Sequence, residues 1–97
     1  MKAYGEILRI LRKQKPLLGS RYSVSYIGVF GSYARGTQKK GSDIDILVDF
    51  SGPIGLFAFM QLESYLSNIL GIKADLVMKT ALKPHIGKLI IKEVVPA

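Results

Sequence analysis

The apolar positions change their period several times along the chain, and each change predicts an element. In YGEILRILRKQK, Tyr4, Ile7, Leu8 and Leu11 recur at helical spacing with basic residues between them. That spacing predicts an amphipathic helix ended by Pro16 and Gly19. SVSYIGVFG alternates at first and is rich in β-branched and aromatic residues, which predicts a strand from Val24 to Phe30 stopped by Gly31. SYARG has room for one helical turn, with Gly36 ending it, and TQKKGS reads as a loop. DIDILVDF predicts a second strand with Ile44, Ile46 and Val48 on one face. After the turn SGPIG, a helix runs through LFAFMQLESYLSNIL, carrying Leu56, Phe59, Leu62, Leu66, Ile69 and Leu70, with Gly71 as its stop. IKADLVM predicts a third strand. Thr80 suits the cap of a short turn, and Pro84 suits the first residue of a final helix from about His85 to Val94.

The order helix, strand, strand, helix, strand, helix predicts an α/β (α+β) fold: a small mixed sheet flanked by helices. The short link between the first two strands favours an antiparallel pair. The later helix is long enough for a crossover to a parallel neighbour. Repeats, low-complexity segments and linkers are absent, so residues 1–97 read as one domain.

Composition narrows the setting. Without cysteine, disulfide frameworks and thiolate metal sites are excluded. The basic N-terminal stretch is amphipathic rather than continuously apolar, unlike a signal peptide, and no apolar run is long enough to span a bilayer. A soluble, cytoplasmic protein is the expectation. The formal charge of +7 favours anionic partners such as nucleotides. The basic residues are spread out rather than blocked with aromatics, so direct nucleic-acid binding is not indicated.

The candidate chemistry begins with Asp43 and Asp45. Two apart on a strand, they project to the same side, with Cβ atoms roughly 6–7 Å apart. Like charges at that spacing repel unless a cation lies between them. Hard carboxylate oxygens suit Mg²⁺, which completes its shell with water and phosphate. Two such ions, about 3.5–4 Å apart, would clamp the attacking and leaving oxygens of a displacement at phosphorus. Asp75 lies in an otherwise apolar strand, where an acid is costly without a partner. Beside the DIDILVDF strand it approaches Asp45, either to hold metal or to serve as general base. The competing reading pairs Asp75 with Lys73 at a strand end. Gly31 and Ser32 close the first strand, where free N–H groups and a hydroxyl can receive a phosphate, although many such pairs are plain turns. Arg35 suits a structural ion pair better than phosphate contact. Asp49 suits a structural position, and Lys39, Lys40 and His85 a solvated surface.

GSYARG, SDIDILVDF and ADLV resemble the signature of the nucleotidyltransferase fold superfamily, which includes DNA polymerase beta and the kanamycin nucleotidyltransferases. The length, the N-terminal helix and the tail ALKPHIGKLIIKEVVPA extend the resemblance, over nearly the whole chain, to the minimal nucleotidyltransferases (MNT proteins). The resemblance implies that Gly31 and Ser32 bind the nucleotide triphosphate and that Asp43, Asp45 and Asp75 form a carboxylate triad on Mg²⁺. It implies an antitoxin that transfers AMP from ATP to a tyrosine of a partner HEPN ribonuclease toxin. The chain has no room for the helical domain that holds the acceptor in larger relatives. Two other outcomes stay open: a non-catalytic antitoxin that blocks the toxin by contact, and a transferase for small molecules such as aminoglycosides.

Overall fold

The computed structural model describes residues 3–97, so Met1 and Lys2, the start of the basic N-terminal stretch, lie outside the described residues. The elements run α1 (Tyr4–Tyr22), β1 (Val24–Phe30), α2 (Ser32–Arg35), β2 (Ile44–Phe50), α3 (Leu56–Leu70), β3 (Ala74–Met78), a 3₁₀ turn (Lys79–Ala81), α4 (Pro84–Glu93) and β4 (Val95–Pro96). The four strands lie in the order β3-β2-β1-β4. β1 is antiparallel to β2 and to β4, whereas β2 and β3 are parallel across the α3 crossover. The expected mixed sheet is present.

One face of the sheet makes the core. Ile44, Ile46 and Val48 of β2 join Ile27 and Val29 of β1 and Ala74 and Leu76 of β3. They pack against Ile7, Leu11 and Leu18 of α1 and Leu62, Leu66 and Leu70 of α3. By strand alternation, Asp45 and Asp75 project from the opposite face. α4 borders that face, where its C-cap Val94 reaches the backbone of β1. A Cβ at Gly28 would lie 2.7 Å from Val94 Cγ2, so only glycine admits this approach.

Two expectations require correction. α1 does not stop at Pro16 or Gly19 but continues to Tyr22. Proline deprives the Arg12 carbonyl of its intrahelical donor, but Pro16 and Arg12 are both exposed, where water can serve that carbonyl. Beyond the proline, Leu18 is fully buried and Tyr22 nearly so, and this packing keeps the last turn helical. The helix ends at Ser23, which takes a left-handed conformation with φ 59° and donates its N–H to the Leu18 carbonyl. Leu56 was expected on the apolar face of α3 but is 72% exposed, beside exposed Phe57 and Met60. The two-residue β4 was not expected, since two residues carry no readable period.

The margins of the sheet are fastened by side chains. On β3, the N–H of Ala74 donates to Ser67 Oγ at 2.9 Å and the N–H of Leu76 to Glu63 Oε2 at 3.0 Å. Both acceptors belong to α3, and they bracket Asp75. At the other margin, Lys15 Nζ of α1 donates to the Ala97 carbonyl at 2.7 Å.

Candidate functional site

Phe30, Asp45 and Asp75 form one row across the sheet, as register partners on β1, β2 and β3. Neighbouring strands lie about 4.8 Å apart, so Asp45 and Asp75 are side by side. The expected approach of the two acids is therefore present. Among the described residues, Asp75 forms no ion pair with Lys73. Asp43 precedes β2, exposed to solvent, and its charge reaches Asp45.

Gly31 closes the row from the β1 side. Its backbone, at φ 76° and ψ −151°, lies in a region that only glycine adopts without strain. A Cβ there would fall on the Asp45 carboxylate, 2.9 Å from its Cγ. The glycine thus brings the turn against the acid. Ser32, half-buried, opens α2 directly after it, and Gly36 ends that helix at φ 73°.

Burial, foremost, raises the pKa of Asp45 above the ordinary carboxylate range, and the charges of Asp75 and Asp43 add to the rise. Arg35 opposes the rise and Glu93 contributes to it. Of the charges that act on Asp45, three are acidic and only Arg35 is basic, a balance that suits a cation. Among the described residues, no three acidic or histidine side chains converge closely enough to cage a metal by themselves. The donors still fit Mg²⁺, which needs only one or two protein carboxylates when water and phosphate oxygens fill the rest.

Two recesses flank these acids. A cleft of about 550 Å³ is lined by Phe30, Gly31, Arg35, Asp45, Leu89, Ile90 and Glu93. A smaller one, about 260 Å³, is lined by Tyr33, Lys40, Gly41, Ser42, Asp43, Gly71, Ile72 and Lys73. Asp45 thus opens to the first and Asp43 to the second. Arg35 pairs with Glu93, as its structural reading expected, yet it also lines the larger cleft. Asp49 is half-buried and accepts the N–H of Phe50, while His85 is exposed.

Sequence reasoning missed α4 as a wall of the site. Leu89, Ile90 and Glu93 stand far from the aspartates along the chain, and the only local signal was an acid closing a helix that is otherwise basic and apolar. The arrangement offers clustered carboxylates for a divalent cation, a glycine turn against them and a partly apolar cleft. Those parts suit the transfer of a phosphorus-containing group.

Comparison with known proteins points the same way. A family model described as a nucleotidyltransferase domain matches residues 11–95. The protein adenylyltransferase MntA of Thermococcus cleftensis is 51% identical over 90 residues, covering 93% of this chain and 91% of that protein. A Methanocaldococcus jannaschii protein, named as a candidate protein adenylyltransferase, is 48% identical over 98% of both chains. Among solved structures, a candidate minimal nucleotidyltransferase superposes with a TM-score of 0.80 at 33% identity, covering 95% of this chain and 94% of that one. A toxin–antitoxin structure with AMP-PNP gives a TM-score of 0.70 at 26% identity, covering 98% of this chain and 72% of that one.

Proposed function

The chain belongs to the nucleotidyltransferase domain family, and from that premise we propose that it is an antitoxin that transfers AMP from ATP to a tyrosine hydroxyl of a HEPN ribonuclease toxin. The observation that carries the reading is the row in which Asp45 and Asp75 stand side by side with the Gly31 turn pressed against Asp45. The names of the relatives support the reaction class: protein adenylyltransferase for the Thermococcus cleftensis protein, and toxin–antitoxin with AMP-PNP for the structural neighbour.

Each residue has a role in this reading. Asp45, with Asp75 beside it in register and Asp43 two residues before it, would hold Mg²⁺ through one or two carboxylates at a time, water and phosphate oxygens completing the shell. Bound there, the metal supplies charge neutralisation at the triphosphate and polarises the α-phosphate. Gly31 and Ser32 hold the phosphates at the end of β1. Asp75, exposed and in register with Asp45, would also take the proton of the incoming hydroxyl. The tyrosine oxygen forms a bond to the α-phosphorus, the bond from that phosphorus to the bridging oxygen breaks, and pyrophosphate leaves. Phe30, Leu89 and Ile90 give the cleft an apolar wall.

The test is co-expression with a HEPN partner followed by intact-protein mass spectrometry. AMP appears on the partner with ATP and Mg²⁺ and is absent with Asp43→Asn or Asp45→Asn. AMP incorporation surviving both substitutions rules out the assigned site. Full toxin neutralisation by both variants without AMP transfer establishes the contact-only antitoxin instead.

A further inference from the structure

Glu93 closes α4 and grips both ends of α2 with one carboxylate. Its Oε2 accepts the N–H of Gly31 at 3.0 Å, and its Oε1 pairs with Arg35. These contacts bridge 62 and 58 residues of sequence. The same carboxylate lines the cleft that holds Asp45. A negative charge beside an already acidic centre is an expensive way to brace a turn, since a neutral acceptor would satisfy the Gly31 N–H as well. What the charge adds is a fixed direction for Arg35. That side chain is 56% exposed and would otherwise sample many rotamers. A guanidinium can give one N–H to Glu93 and keep other donors for an anion in the cleft.

We propose that Glu93 is a positioning residue for the nucleotide: it pins Gly31 and Arg35 in one geometry, so that the turn and the guanidinium meet the triphosphate together. The proposal rests on the nucleotidyltransfer reading above and deepens it. Glu93 itself touches no reacting atom.

The experiment compares wild type, Glu93→Gln, Arg35→Gln and the double variant. Three quantities are read: the Kd for AMP-PNP with Mg²⁺ by calorimetry, the ATP KM and kcat for AMP transfer, and the melting temperature. Glutamine keeps the length and an acceptor for Gly31 while removing the charge. Glu93→Gln is expected to melt near the wild type while its Kd and KM rise roughly tenfold, the effect of one charge-assisted hydrogen bond, and kcat changes little. Arg35→Gln is expected to weaken binding at least as much, and the double variant to bind no worse than Arg35→Gln. Additive losses overturn the proposal, as does an unchanged Kd. Tighter binding by Glu93→Gln also overturns it, because Glu93 would then be competing with phosphate. If Glu93→Gln does not fold, Arg35→Gln alone decides, since an unchanged Kd there removes the residue through which Glu93 is said to act. Wild type that binds AMP-PNP but transfers no AMP defeats the functional reading and leaves the Kd test of Glu93 intact.

Discussion

Gly31 and Asp45 are in such close contact that no side chain can stand at residue 31 without displacing the carboxylate of Asp45. Gly31→Ala is therefore strained twice, by its positive φ and by the clash. It is expected to cost about 1–3 kcal/mol of stability and to abolish nucleotide binding, read by denaturant unfolding and by calorimetry. A fully active alanine variant would show that the turn and the acid are not coupled.

The fold favours the protonated form of Asp45 and so gains stability from that proton. The folded pKa of Asp45 is raised by burial and by the Asp75 and Asp43 charges. The folded protein therefore binds the proton more tightly than the unfolded chain does. The sign follows: this stability is fully present below the ordinary carboxylate pKa and is lost as pH rises through the raised value. In metal-free buffer, Asp45→Asn is expected to raise the melting temperature at neutral pH and to flatten its pH dependence. Added Mg²⁺ is expected to stabilise the wild type and not the variant. A wild type whose melting is indifferent to Mg²⁺ at millimolar concentration would contradict the metal assignment.

Glu63 and Ser67 hold the N–H groups on either side of Asp75 and do not line the cleft. Removing either acceptor strands a backbone donor on β3 beside Asp75. Glu63→Ala and Ser67→Ala are each expected to cost about 1–3 kcal/mol. Glu63→Ala is also expected to lower AMP transfer, measured by mass spectrometry at a temperature where the variant remains folded. Loss of stability without loss of transfer would separate the edge of the sheet from the site.

Pro16 is exposed inside α1 and leaves the carbonyl of Arg12 without its helical donor. Pro16→Ala restores that bond. It is expected to raise stability by about 1 kcal/mol or more, the helix gain being offset in part by a freer unfolded chain. Thermal melting gives the answer, and a fall in melting temperature would mean that the proline sets a needed bend.

Much of this architecture is legible in the sequence because local signals agree. β1 and α3 begin and end where their periodicity and glycines place them, and the parity of Asp45 and Asp75 puts them together once β2 and β3 are parallel. Pro16 misleads because burial of Leu18 and Tyr22 outweighs a local breaker. Glu93 is unreadable for a different reason: its contacts are made with Gly31 and Arg35, more than half the chain away. Strand alternation fixes which side of the sheet an acid takes, but it does not say which helix end arrives opposite.

The fastened margins of the sheet have a consequence for assembly. Strand-by-strand recruitment of another protein needs an edge with free donors. β3 has given the N–H groups of Ala74 and Leu76 to α3, and β4 includes Pro96, which has no N–H to offer. Those three positions therefore have no donor free for β-augmentation. Helices and loops are the better offered surfaces, and the cleft that leads to Asp45 is walled by Leu89, Ile90 and Glu93 of α4.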